Sequence, residues 1–235
     1  MPITELSFRL RGTPLPQDHG YPLYRAVASI VPWLAEPAQI DLAIVPIQGS
    51  AHGGFVHLTS VSRLAFRLNA DDSERLLPLA DQSLVVGAAV LRLGRPTEYR
   101  LRPVPGLASQ FVAAEHHRYS DQVLEWLKAE FLALDIRAVP TLRPRRGRKG
   151  ADPAESGGRS FDCPYERHIR HIDDRAVVGW EVQVYGLTPA ESFRLQERGV
   201  GPGRRYGCGV FMAVEGQRPR KASKFGATGV WFPPS

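Results

Sequence analysis

The chain has 235 residues and a formal net charge of +6, with 30 Lys and Arg against 24 Asp and Glu. At 43% hydrophobic residues it holds enough apolar material for real cores, and its basic balance favours an acidic partner. Two cysteines, Cys163 and Cys208, argue against a disulfide framework or a cysteine zinc site, and no apolar run is long enough to cross a bilayer. The opening residues lack a signal peptide's basic and apolar regions, so a cytoplasmic protein without a membrane partner is expected.

A strand is predicted over residues 3–11, through Ile3, Leu6, Phe8 and Leu10. A loop with Pro14 and Pro16 ends in Asp18-His19-Gly20. Residues 21–31 carry Leu23, Val27, Ile30 and Val31 at helical spacing. A short strand (41–47), a turn (48–54), a long strand (55–68), a short helix (71–79) and another strand (83–93) follow. The order β-α-β-β-α-β is ferredoxin-like.

The second half repeats that order. Residues 97–114 are extended, with breaks at Pro103 and Pro105. A helix is predicted over 119–134, with Val123, Leu127, Phe131 and Leu134 on one face. Strands at 137–142 and 161–172 flank an irregular insert, and 177–185 alternates with Val178, Trp180, Val182 and Val184 on one side. A helix after Thr188 and a strand over 208–214 close the unit. The expected fold is therefore α+β, with two tandem ferredoxin-like domains and a C-terminal glycine-rich loop. The first domain would span 1–95 and the second 96–214, with a basic insert at 143–159 and a basic tail at 215–235.

Two segments carry the functional signal. In the first, Thr188 is an N-cap, Pro189 the first helical residue and Glu191 the return arm of a capping box. Gly199 ends that helix in a left-handed conformation, and Gly201-Pro202-Gly203-Arg204-Arg205-Tyr206-Gly207 follows. Glycine and arginine together suit a nucleic-acid backbone, although glycines alone would mark only a connection to an edge strand. The glycines follow a helix rather than open one, which excludes a P-loop or dinucleotide site. The second segment is the insert, where Arg143, Arg145, Arg146, Arg148 and Lys149 crowd a stretch that cannot pack a core.

The loop from Gly199 to Phe211 resembles the C-terminal signature of the RAMP superfamily of CRISPR-associated proteins. Residues 15–24, Leu-Pro-Gln-Asp-His-Gly-Tyr-Pro-Leu-Tyr, and the Ser62-Arg63-Leu64 triplet resemble the repeat-RNA processing endoribonucleases of myxobacterial-type (MYXAN) subtype I systems. The resemblance covers most of the chain. It implies cleavage of precursor CRISPR RNA within each repeat, without a metal or other cofactor, leaving a 2′,3′-cyclic phosphate and a 5′-hydroxyl. One difference is Val45, which stands before Pro46-Ile47 where relatives carry a histidine.

Metal-free RNA cleavage needs a base for the 2′-hydroxyl, a cation for the phosphate and an acid for the leaving oxygen. Of seven histidines, His19 is the expected base, from its loop placement beside Gly20 and from the resemblance. His52, in a glycine-rich turn, is second. Tyr21 and Tyr24 are candidates to orient the phosphate or base, one of them expected in the core. His57 is expected to pack within a strand, and His116-His117 to cap a helix or contact phosphate. His168 and His171 should face opposite sides of a strand, which argues against a shared metal; Arg167 and Arg170 join them as an RNA-facing strand. Gly203, Arg204 and Arg205 complete the expected RNA contacts. The partner is then CRISPR repeat RNA, with other CRISPR effector subunits as further candidates. A non-catalytic RNA-binding RAMP subunit is the alternative, and a small-molecule enzyme is disfavoured by the lack of a cofactor motif.

Overall fold

The computed structural model describes residues 3–36, 42–114, 116–117, 119–144 and 165–214. The first half opens with β1 (Ile3–Gly12), β2 (Leu15–Pro16) and α1 (Gly20–Ile30). It continues with β3 (Ala43–Val45), β4 (Ser50–His52), β5 (Phe55–His57) and β6 (Arg63–Asn69). A 3-10 helical segment, Ala70–Leu79, leads to β7 (Ser83–Val86) and β8 (Ala89–Arg100). The second half holds β9 (Gly106–Ala113), α2 (Ser120–Ala133), β10 (Pro140–Leu142) and β11 (Arg167–Ile172). It ends with β12 (Arg175–Tyr185), α3 (Pro189–Arg198) and β13 (Met212–Ala213).

One sheet runs β3-β6-β1-β8-β7 and the other β10-β12-β9-β13, with β11 also beside β12. All pairings in both are antiparallel. Leaving β7 and β11 aside, each sheet has its second, third, first and fourth strands in that order. The mixed α+β architecture is consistent with two ferredoxin-like domains. Pairing of Leu6 with Phe66 and Phe8 with Leu64 sets the even residues of β1 and β6 in the first core, where Leu23 and Val27 of α1 join them. In the second core, Val123, Leu127 and Phe131 of α2 pack with Trp180, Val182 and Val184 of β12.

Several sequence expectations are corrected. The strand expected over 55–68 breaks at a turn, because buried Ser62 accepts from Thr59 N–H and donates to Gln48 O. Its first part pairs instead with β4 and β2 as a small separate sheet, so residues 48–54 are more than a turn. The strand expected over 83–93 is the β7–β8 hairpin, turning at Gly87 with φ +61°. Its second arm carries the first sheet to Arg100, past the boundary expected at 95. Residues 71–79 are 3-10 rather than α-helical, with Pro78 inside. Strand 208–214 shrinks to β13, and Cys208 is a buried turn residue.

The halves meet across the sheet face that carries no helix in the first half. Ala43, Val45 and Ala65 pack there against Val210 and Met212. Buried Arg67 spans the join. It pairs with Glu5 at 3.0 Å and donates to Gln196 O at 3.1 Å and Phe211 O at 2.6 Å. Val45, which stands before Pro46-Ile47, belongs to this apolar contact.

Candidate functional site

The loop before α1 is held by its own backbone. Pro16 pairs with Phe55, and Gln17 N–H donates to Gly54 O at 3.0 Å. The chain then turns into α1, and Gly20 lies so close to the second half that a Cβ there would sit 2.2 Å from Tyr206 O. Only glycine permits that approach. His19 is thereby carried to the join between the halves, with 7% of its surface exposed.

A small cleft opens beside it. Its lining includes His19 and Gly20 from the first half and Arg170, Tyr206 and Gly207 from the second. His19 Nδ1 lies 2.8 Å from Pro16 O. A carbonyl only accepts, so Nδ1 carries the proton in the neutral ring and Nε2 is left as the basic nitrogen. Burial pulls the His19 pKa below its ordinary value, and the Arg170 charge adds to that depression; the Pro16 bond and Asp18 oppose it. The imidazole is neutral at neutral pH.

Arg170 is the cation of the cleft. Its guanidinium lies over the Phe111 ring, 4.5 Å from the centroid, and bonds Cys208. Burial lowers its pKa from the usual arginine value, but a guanidinium stays charged in water's pH range. A half-buried cation on the same cleft as a neutral histidine suits a phosphate that gains charge during reaction. Burial also raises the Tyr206 pKa, which keeps its phenol protonated.

Contacts near the cleft tie the halves together. Asp18 Oδ2 accepts from His171 backbone N–H at 2.8 Å and lies 3.2 Å from His171 Nδ1. Tyr21 donates to Asp173 Oδ1 at 2.9 Å, which raises the Tyr21 pKa. Tyr24 is buried in the first core, edge-on to Tyr206 at 5.0 Å, whereas Tyr21 is half-buried and packs against that core beside it.

The other expected residues divide by environment. His52 is exposed on β4 and is not among the residues lining the cleft. His57, expected to pack, is exposed 6.4 Å from it, because β5 lies in the small outer sheet. His117 stacks on Trp126 at 5.2 Å. Arg167 is exposed, on the other side of β11 from Arg170. Arg143 is tied to Glu181 at 2.5 Å, which raises its pKa and makes it a fold contact rather than an open phosphate ligand. Ligand atoms of Glu166, His168 and Glu181 lie within 4.8 Å of one another, a grouping that strand alternation alone did not reveal. Arg143 already neutralises Glu181 there. Arg145, Arg146, Arg148 and Lys149, and the tail at 215–235, lie outside the described residues.

The glycine-rich loop departs most from expectation. Thr188 and Glu191 form the capping box, with Thr188 N–H donating to Glu191 Oε2 at 2.8 Å and Arg137 N–H to Oε1 at 2.6 Å. Those donors, Thr188 first, hold the Glu191 pKa at about 2. Gly199 has φ +62° and ψ −165°, a positive φ with extended ψ rather than a left-handed helical turn. Beyond it, Val200 N–H donates to Gly209 O at 3.1 Å and Gly209 N–H to Phe111 O at 2.7 Å. A Cβ on Gly209 would meet Val200 O at 1.9 Å. Arg204 turns inward and donates to Glu197 O. Arg205 is half-buried, and among the described residues it forms no ion pair. Gly203, with φ +86°, accepts from Tyr206 and Cys208 N–H through its own carbonyl.

Known proteins fit this geometry. The family model described as Cas6 Crispr matches residues 4–216. The chain belongs to the Cas6 family. A CRISPR-associated endonuclease Cas6 of Myxococcus xanthus (strain DK1622) is 29% identical over 212 residues, covering 90% of this chain and 82% of the relative. The solved structure of a Cas6-related protein from Pyrococcus furiosus aligns with a TM-score of 0.58 at 11% identity, over 92% of this chain and all of the other. A RAMP protein binding different RNA substrates aligns with a TM-score of 0.58 at 12% identity, over 90% and 100% of the two chains. At such identities these structures speak for the Cas6 fold alone. Among the described residues, no helix is long and apolar enough to cross a membrane.

Proposed function

We propose that this Cas6-family chain is an endoribonuclease that cuts precursor CRISPR RNA within its repeats, without a metal, leaving 2′,3′-cyclic phosphate and 5′-hydroxyl ends. The observation that carries the reading is the pairing of His19 and Arg170 on one cleft, with Pro16 O fixing the His19 tautomer. Nε2 takes the 2′-hydroxyl proton, the freed oxygen attacks the adjacent phosphorus, and Arg170 stabilises the crowded phosphorane. The bond from phosphorus to the 5′-oxygen then breaks, and that oxygen takes a proton from solvent water. Two tandem ferredoxin-like domains, meeting near residue 100, would take the RNA between them, with Arg145, Arg146, Arg148, Lys149 and Arg205 holding phosphates. The M. xanthus endonuclease supports the substrate class.

The test is labelled repeat RNA incubated with the protein in EDTA. A single cut per repeat is expected, with a cyclic phosphate on the upstream product. RNA carrying a 2′-deoxy sugar at the cut position should bind and stay whole. Cleavage that requires an added divalent ion, or that tolerates the deoxy sugar, would exclude this chemistry.

A further inference from the structure

We propose that Asp18 and Asp173 are positioning residues for cleavage, latching the His19 loop of the first half to the β11–β12 hairpin of the second. The inference rests on His19 being the base. It starts from two short segments that meet. Asp18, His19 and Tyr21 lie together in one half; Arg170, His171 and Asp173 lie together in the other. Asp18 binds His171 and Tyr21 binds Asp173; His19, between Asp18 and Tyr21, and Arg170, next to His171, line the cleft.

The two bonds run in opposite senses. Asp18 of the first half accepts from the second, whereas Asp173 of the second half accepts from the first. Each half thus contributes one carboxylate and one donor, close in sequence to the reacting pair. Two points of attachment fix both the separation and the rotation of the loops, which one point would not. The hairpin is shaped for its part. Asp173 and Asp174 turn it with φ of +50° and +61°, a conformation that aspartate tolerates better than most side chains. The turn keeps the Asp173 carboxylate beside the first residues of α1.

Covalent connection between His19 and Arg170 runs through most of the chain and cannot hold them to a fraction of an ångström. Packing at the join supplies the coarse fit, and the latch supplies the fine one. Neither Asp18 nor Asp173 lines the cleft, so both act through the groups that do. Misplacement of a reacting group by about 1 Å costs roughly a hundredfold in rate.

The test measures single-turnover cleavage at saturating repeat RNA. Asp18→Ala and Asp173→Ala should each slow it by roughly ten- to a hundredfold, with affinity for the RNA unchanged. Asp18→Asn retains an acceptor for His171 N–H and should recover part of the loss. Tyr21→Phe should match Asp173→Ala, and the two together should be no worse than either alone. The decisive arm is the His19→Ala background. There Asp18→Ala should have no further effect, because the group it positions is gone. An equal loss in both backgrounds would make Asp18 a general structural residue and overturn the latch. Wild-type rates in both aspartate variants, with His19→Ala slow, would overturn the latch and leave the base intact. A wild-type rate in His19→Ala would overturn both.

Discussion

The His19 loop and the glycine-rich loop face each other across the same join, yet they use the chain in opposite ways. The second has the richer composition, with glycines, two arginines and a tyrosine. Most of that composition goes into packing. Gly209 and Gly199 let two backbone stretches touch, Cys208 and Val210 fill the join, and Arg204 folds back on α3. The loop before α1 looks plainer and carries His19, the proposed base, in a set tautomer. Composition marks where backbone comes close; burial and bonding mark where chemistry happens.

The contrast breaks first at His19. His19→Ala should slow single-turnover cleavage by about 10²–10⁴-fold while leaving binding almost unchanged. His52→Ala, on an exposed strand, should cut at the wild-type rate. The pH profile is a second readout. With the His19 pKa lowered by burial, kcat/KM should be flat through neutral pH and fall only in acid, below the ordinary histidine range. A dead His52→Ala or a fall beginning above neutrality would move the base elsewhere.

The glycine-rich loop should fail differently. Gly209→Ala places a Cβ against Val200 O with φ at +64°, and should cost about 2–4 kcal/mol. Chemical denaturation would read that loss directly. A variant that stays fully stable yet loses RNA binding would return the glycine to a role in phosphate contact.

Glu191 tests the anchor of that loop by pH. Its folded pKa of about 2 lies below the ordinary carboxylate value of about 4.3, so it contributes stability above the latter and loses it as pH falls through the former. Glu191→Gln should lower stability at neutral pH by about 1 kcal/mol and flatten the decline between about pH 5 and 2. An unchanged acid slope would mean that other carboxylates dominate.

The smallest effect separates the two arginines. Arg205→Ala should reduce the salt dependence of RNA binding by roughly 0.7 in the log–log slope, one phosphate contact, without a change in Tm. Arg204→Ala should lower Tm, because Arg204 bonds the end of α3. Reversal of the two results would show that the loop presents Arg204 to RNA.

Much of this scaffold was legible in the sequence. Val123, Leu127 and Phe131 repeat at the helical period and do form the buried stripe of α2. Thr188-Pro189 with Glu191 forms the capping box that its spacing predicts. What failed were events that local pattern does not encode. Ser62 breaks a strand by bonding Gln48 far behind it, and Asp173-Asp174 turns a hairpin without a glycine. His19 could be picked out by its loop, and Arg170 by its basic strand. Their meeting depends on the join between the halves, to which Arg67 contributes from inside an ordinary strand. No period or motif announces such a residue.

The neck of the basic insert has an engineering consequence. Arg143 O accepts from Glu166 N–H at 3.0 Å, and Pro144 bridges Tyr165, so the residues that flank the insert are held side by side at the sheet edge. Chain ends held together are already closed for any graft, and loop-closure entropy grows only slowly with the length spliced between them. The segment can therefore be exchanged as a cassette, shortened to a tight turn or refilled with another charged sequence. Such chimaeras would tune grip on RNA, if the insert holds it as proposed, without touching the proposed site at His19 and Arg170.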